Sequence, residues 1–242
     1  MHTKRQGRPH LGRLVAALRV LADHREEIDC CHRSVVGPRV GRALPLDRKL
    51  LQAFAACVSD RRGATLKTGR DAVKDFDKKV PELIRIVETG GDPERTHRRA
   101  FELMCGVRNV NQKIAANYLR HVVDVFGEWH HLRPHLFVPL DRVVLRLLRV
   151  NLQVCDDLPK QSLVITGAGK RLCTKNGEPV ATYKQFLRYQ GWFTAAAKKA
   201  SVDRILVDGL WVVGHIFCQP YPLCHTCWIR EHCAARRQNE IV

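Results

Sequence analysis

Four cysteines stand within sixteen residues near the end of the chain, Cys218, Cys224, Cys227 and Cys233, spaced Cys-x5-Cys-x2-Cys-x5-Cys. Pro220 and Pro222 fall in the first gap, so the stretch reads as a tight loop without regular structure. Four soft thiolates so arranged suit a tetrahedral zinc ion or a [4Fe-4S] cluster, and ligand chemistry alone does not choose between them. The chain holds ten cysteines in all, but its start, MHTKRQGRPH, has no apolar signal core. Metal binding is therefore the expected use of these four, ahead of disulfides.

A lysine and a carboxylate form a second candidate centre. Lys113 falls in the first turn of a helix expected from Asn111 to Val125, where the helix dipole disfavours positive charge. An amine held against that field, with an acid partner, has reason to give up its proton and act as a nucleophile. Asp141 stands directly before the apolar-periodic Val143, Val144, Leu147 and Leu148, where a helix N-cap is expected. It supplies the carboxylate.

The elements that position these groups read as short amphipathic helices. Leu14, Val15, Leu18, Leu21 and Ala22 predict one helix over Leu11 to Ile28, followed by the Cys30-Cys31 pair, which reads as packed or idle. Asp47 is placed as the N-cap of a buried helix from Arg48 to Val58, which ends in the turn Ser59 to Gly63. Further helices are expected over Leu66 to Phe76, Val80 to Glu88, Pro93 to Met104 (Pro at N1 after Asp92), Asp141 to Gln153, Tyr183 to Lys199 and Val202 to Phe217. Asn176-Gly177 between short apolar runs signals a type I′ turn, so a small β-hairpin or loop insertion is expected near 162–181. The nearby Gly167-Ala168-Gly169-Lys170 lacks the spacing of a phosphate-binding loop. The fold class is all-α.

Lys and Arg total 41 against 24 acidic residues, a formal charge of +17 with a pI near 9.8. That excess calls for a polyanionic partner, and nucleic acid fits before a membrane because no lipid-anchoring helix pattern appears. No run of eighteen apolar residues exists, so the reading is a soluble intracellular protein, cytoplasmic or nucleoid-associated.

The order of these parts resembles the helix-hairpin-helix DNA glycosylase superfamily, nearest to its endonuclease III-like branch. The family hairpin runs Gly, apolar, Gly, any, Lys, any, Ala; here it is Asn109-Val110-Asn111-Gln112-Lys113-Ile114-Ala115. Both glycines have become Asn, among the residues that best tolerate a left-handed backbone after Gly. Pro139-Leu140-Asp141 is similar to the family's catalytic Asp at a helix start, with an insertion implied around Glu128 to His135. The family's cluster motif has six, two and five intervening residues, so the first loop here is one residue shorter, and Gln219 to Leu223 lacks its usual basic residues.

The resemblance implies a two-lobed fold with DNA in the groove between lobes. Residues 45–155 would form a six-helix lobe, and 1–44 with 156–242 a second helical lobe carrying the cluster loop at 218–233. It implies an iron-sulfur cluster on Cys218, Cys224, Cys227 and Cys233, zinc being the alternative. The implied partner is duplex DNA containing a damaged base, bound by a monomer. Backbone N-H groups of Asn109, Val110, Asn111 and Gln112 would hold a phosphate, and Arg61 or Arg62 would wedge into the duplex. Lys113 would attack C1′ of the sugar with help from Asp141, making a bifunctional glycosylase and AP lyase that removes an oxidised base. Two alternatives stay open: a monofunctional mismatch or uracil-type glycosylase in which Asp141 activates water, and a non-catalytic DNA-binding protein built on the same hairpin.

Overall fold

Ten α-helices carry most of the described residues in a computed structural model that describes residues 9–36, 44–59, 66–155, 158, 164–165, 171–173, 179–218 and 222–235. They are α1 (Gly12–Asp23), α2 (Arg25–Val36), α3 (Leu46–Ser59), α4 (Leu66–Asp77), α5 (Val80–Thr89), α6 (Pro93–Cys105), α7 (Gln112–Asp124), α8 (Arg142–Arg146), α9 (Tyr183–Ala200) and α10 (Gly209–Ile216). The architecture is helical, as the periodicity predicts. The described residues also include a small antiparallel sheet of β1 (Val164–Ile165), β2 (Arg171–Cys173) and β3 (Pro179–Thr182), in that order. Val164 pairs with Cys173 and Leu172 with Ala181, so the expected hairpin insertion gains a third strand. Its Asn176-Gly177 turn lies outside the described residues. Among the described residues no helix is long and apolar enough to cross a membrane.

Local signals mark most helix boundaries correctly. Asp92 caps α6 by accepting from the Arg95 N-H at 2.9 Å, with Pro93 at the first helical position. Two expectations need correction. The single helix read over Leu11 to Ile28 is two, broken at His24, and Cys30 and Cys31 lie inside α2 rather than after it. Periodicity misses the break because the apolar pattern continues to Ile28, while the His24 ring stacks on Trp228 at 4.3 Å, a contact no local pattern reveals. Asp47 lies within the first turn of α3 instead of capping it; its charge still favours the positive end of that helix dipole.

The chain divides into two units, one of residues 29–139 with 163–183 and the other of 1–28, 140–162 and 184–242. The sequence reading groups 140–155 with the hairpin lobe; here these residues join the two ends of the chain. The unit of 29–139 is built on stacked aromatics. Phe54 of α3, Phe76 of α4 and Tyr118 of α7 are fully buried, with ring centroids 4.3, 5.6 and 5.3 Å apart. Burying each such ring contributes about 1.5–3 kcal/mol, and the three together fix α7, the helix that carries Lys113.

Beside that core lies a buried polar group of α7. Arg120, 3% exposed, lies 3.4 Å from Asp124 and 3.7 Å from Asp29, while His121 Nδ1 is 3.2 Å from the Cys57 sulfur. Burial, then the Arg120 guanidinium, pushes His121 down to about 3; burial, Arg120 and His121 push His32 down to about 2. Both histidines are neutral in the native state but take up protons below their ordinary value of 6.5 when unfolded. Stability of this unit should therefore fall as pH drops from 6.5 towards 3. A His121→Leu variant, compared by urea melts across that range, should show a weaker acid dependence than the parent; equal slopes would remove His121 from the account.

The other unit buries Leu14, Ala17, Leu18 and Leu21 of α1 and Phe186, Tyr189, Phe193 and Ala196 of α9. Here α8 and α10 cross closely at Gly214. A Cβ at that position would come 2.1 Å from Val143 Cγ1 and 3.1 Å from Leu147 Cδ1. That approach is one of the contacts that join 140–155 to the chain ends. Gly214→Val is expected to destabilise by about 1–3 kcal/mol through overpacking, because a β-branched neighbour has little freedom to yield. An unchanged urea midpoint would show that the two helices can part. After Arg146 the helix does not stop but loosens into a π turn over Leu147–Asn151, closed by the Leu152 N-H on the Leu147 carbonyl at 2.8 Å.

Candidate active-site residues and the four-cysteine pocket

The hairpin begins where α6 ends at Cys105, with the Val107 N-H on the Met104 carbonyl. Asn109 takes the left-handed conformation, φ 62°, that the turn needs and that Asn supplies in place of Gly. Asn111 does something else. It is extended at φ −111° and caps α7, its side chain accepting from the Ile114 N-H at 3.1 Å. So the two Asn residues do separate jobs, one of turn conformation and one of capping.

The turn is held from α4. The Asp75 carboxylate accepts from the Arg108 N-H at 2.7 Å and from Lys79 at 3.2 Å, while Lys79 also donates to the Gly106 carbonyl at 2.6 Å. The Arg108 N-H, followed by Lys79, lowers the Asp75 carboxyl below its ordinary value. Asn109 adds a side-chain bond to the Thr68 carbonyl at 3.3 Å. Sequence reasoning missed this clamp, since Asp75 sits 33 residues from the turn it serves.

Of the residues expected to meet DNA here, Val110 and Gln112 are buried and Asn109 is exposed. Lys113 is half-buried in the first turn of α7. Arg61 and Arg62, read as wedge candidates, lie outside the described residues.

Asp141 belongs to the other unit. It is 4% exposed, and its Oδ1 accepts from the Val143 N-H at 2.8 Å and the Val144 N-H at 2.9 Å. The expected N-cap is therefore in place, on a carboxylate withdrawn from bulk water. Lys113 and Asp141 are placed by different units, each by its own helix start.

All four cysteines of the C-terminal loop line one pocket of about 260 Å³, whose remaining wall includes Arg146, Val150, Asn151, Phe217 and Arg230. Among the described residues, no three His, Cys, Asp or Glu side chains form a group that could hold a single metal ion. The donor set fits an iron-sulfur cluster on its chemistry. It offers four soft sulfurs, an Asn151 amide donating to the Cys233 sulfur at 3.2 Å, and two guanidiniums on the wall to balance an anionic group. Burial raises the Cys218 thiol above its ordinary value and pushes Cys227 up to about 12. A cationic metal centre bound to these sulfurs would make the thiolate the stable form.

The helix behind Asp141 forms one side of this pocket. Arg146 at the end of α8 donates to the Cys218 carbonyl at 3.1 Å. Five residues on, in the π turn, the Asn151 carbonyl accepts from the Ala234 N-H at 2.7 Å. Both ends of the cysteine loop are thus tied to the helix that Asp141 caps. Trp228 within the loop packs on Phe217, with ring centroids 5.2 Å apart, as well as on His24. No protein-family model, no curated protein and no solved structure matches the chain, so the reading of this site rests on its own residues.

Proposed function

We propose that the chain is a helix-hairpin-helix DNA glycosylase that removes a damaged base from duplex DNA and cleaves the resulting abasic site through a Lys113 Schiff base. Its chief support is the tie between the cysteine loop and the helix capped by buried Asp141, through Arg146 and Asn151. The tie puts the four-sulfur loop and the capped carboxylate in one unit, which the resemblance assigns to separate lobes. The net charge of +17 and the Asn109–Asn111 hairpin are in keeping with a phosphate-binding partner.

In this reading the target base leaves the stack before reaction, because its glycosidic bond is inaccessible within the duplex. The Lys113 amine attacks C1′. The C1′–N bond breaks with its electron pair going to the departing base, and loss of a proton and ring opening give the imine. Asp141 contributes negative charge to the oxocarbenium-like transition state. When bound, the iron-sulfur cluster supplies structural ligation to the loop at 218–233; Arg146 and Asn151 hold that loop against the Asp141 helix.

A panel of duplexes, each carrying one oxidised, deaminated or mismatched base, tests the proposal through release of the free base. Release from at least one duplex is expected. Binding across the whole panel with no release would favour the non-catalytic DNA-binding reading. On undamaged duplex, affinity should fall steeply with salt, each neutralised phosphate contributing about −0.9 to the slope of log K against log salt. A flat salt dependence would place the basic excess away from the DNA-binding face.

A further inference from the structure

Asn151 makes two bonds to the end of the cysteine loop. Its side-chain Nδ2-H donates to the Cys233 sulfur at 3.2 Å, and its main-chain carbonyl accepts from the Ala234 N-H at 2.7 Å. It lines the same pocket as the four sulfurs and stands at the last position of the π turn that follows α8. The extra residue of that turn rotates Asn151 away from where a regular α-helix would place it. The result is a neutral N-H donor against one ligand sulfur, with the Arg146 and Arg230 side chains also lining the pocket.

We propose that Asn151 is a positioning and tuning residue for the iron-sulfur cluster, its amide N-H drawing charge from the Cys233 thiolate and favouring the reduced state. This inference rests on the iron-sulfur reading of the pocket. A thiolate that accepts a hydrogen bond donates less density to its iron, so the more negative member of the one-electron couple is stabilised and the potential rises. Asn151→Leu removes the donor without adding charge. Asn151→Asp keeps the shape but sets an acceptor against the sulfur, and should act more strongly in the same direction.

The experiment compares anaerobically purified wild type with both variants by iron and zinc analysis, circular dichroism, and a mediated titration with dithionite as electron donor. The [4Fe-4S]1+ state formed from [4Fe-4S]2+ is followed by its electron paramagnetic resonance signal. Iron is expected in all three proteins. The reduced-to-oxidised ratio at a fixed potential should fall about tenfold in Asn151→Leu, a shift of about 59 mV for one electron, and further in Asn151→Asp. Equal or higher potentials in variants that retain iron would overturn the inference and leave the iron-sulfur reading standing. Variants that fold but hold no iron would replace tuning by simple retention of the ligand loop, and also overturn it. Zinc without iron in the wild type would remove the iron-sulfur reading itself, and this inference with it.

Discussion

Borohydride added while the protein acts on a damaged duplex is expected to leave a covalent protein–DNA adduct, and Lys113→Gln is expected to abolish it. The adduct arises because hydride reduces the imine carbon, converting a reversible C=N bond into a stable amine linkage. Gln is close to Lys in length but has no nucleophilic nitrogen, so base release by this route should disappear with trapping. Duplex affinity should change little, since one charge is lost from an excess of seventeen. The fold should survive as well. Lys113 is half-buried in the first turn of α7, whose start is secured by the Asn111 cap and whose core contact is made by Tyr118. If Lys113→Gln still releases base at near-normal rate, the Schiff-base route is excluded and Asp141 with a water molecule carries the reaction. Asp141→Asn is the companion test. Asn caps a helix about as well as Asp, so the bonds to the Val143 and Val144 N-H groups can persist while the charge is removed. A fall of about 10²–10³ in base release with an unchanged melting temperature would separate catalysis from capping.

Cys227→Ser is expected to abolish metal binding and destabilise the unit formed by residues 1–28, 140–162 and 184–242. Wild-type protein should be brown and contain iron, whereas the variant should be colourless. Serine cannot supply a soft thiolate, and ligation energy in such a loop is folding energy. The loop has little regular structure of its own: Cys224–Thr226 and Arg230–His232 are single 3-10 turns, and only Ile229 is buried among residues 224–233. A loss of only about 2 kcal/mol would lower Tm by roughly 4–8 °C in a chain of this size. Arg146 and Asn151 tie the loop to the Asp141 helix, so protection from hydrogen exchange in α8 should fall too. An iron-free wild type with one zinc per chain would reverse the choice of metal. A colourless variant of unchanged Tm and exchange would mean that the loop contributes nothing to the helix.

Capping and periodicity act over three or four residues, which is why the sequence by itself determined the boundaries of α6, α7 and the start of α8. Asp92 and Asp141 each bond a backbone N-H two or three positions on, so residue type and position specify the contact, whereas Asn111, read from the sequence only as a left-handed turn residue, turns out to be the cap of α7. The left-handed Asn109 was legible for the same reason. The spacing of the four cysteines pointed to a common metal site before any geometry was known. Tertiary structure decided the rest. Asp75 reaches a turn 33 residues away, His24 at the break between α1 and α2 stacks on Trp228, and Asn151 meets a sulfur 82 residues further on. Gly214 lets α10 approach Val143 closely and so helps join 140–155 to the chain ends, although its surrounding sequence reads only as an apolar helix. Contacts of this kind depend on the paths of two segments that local propensity does not couple. They are fixed only when the apolar faces have chosen their partners and the remaining polar groups find what those paths have brought within reach.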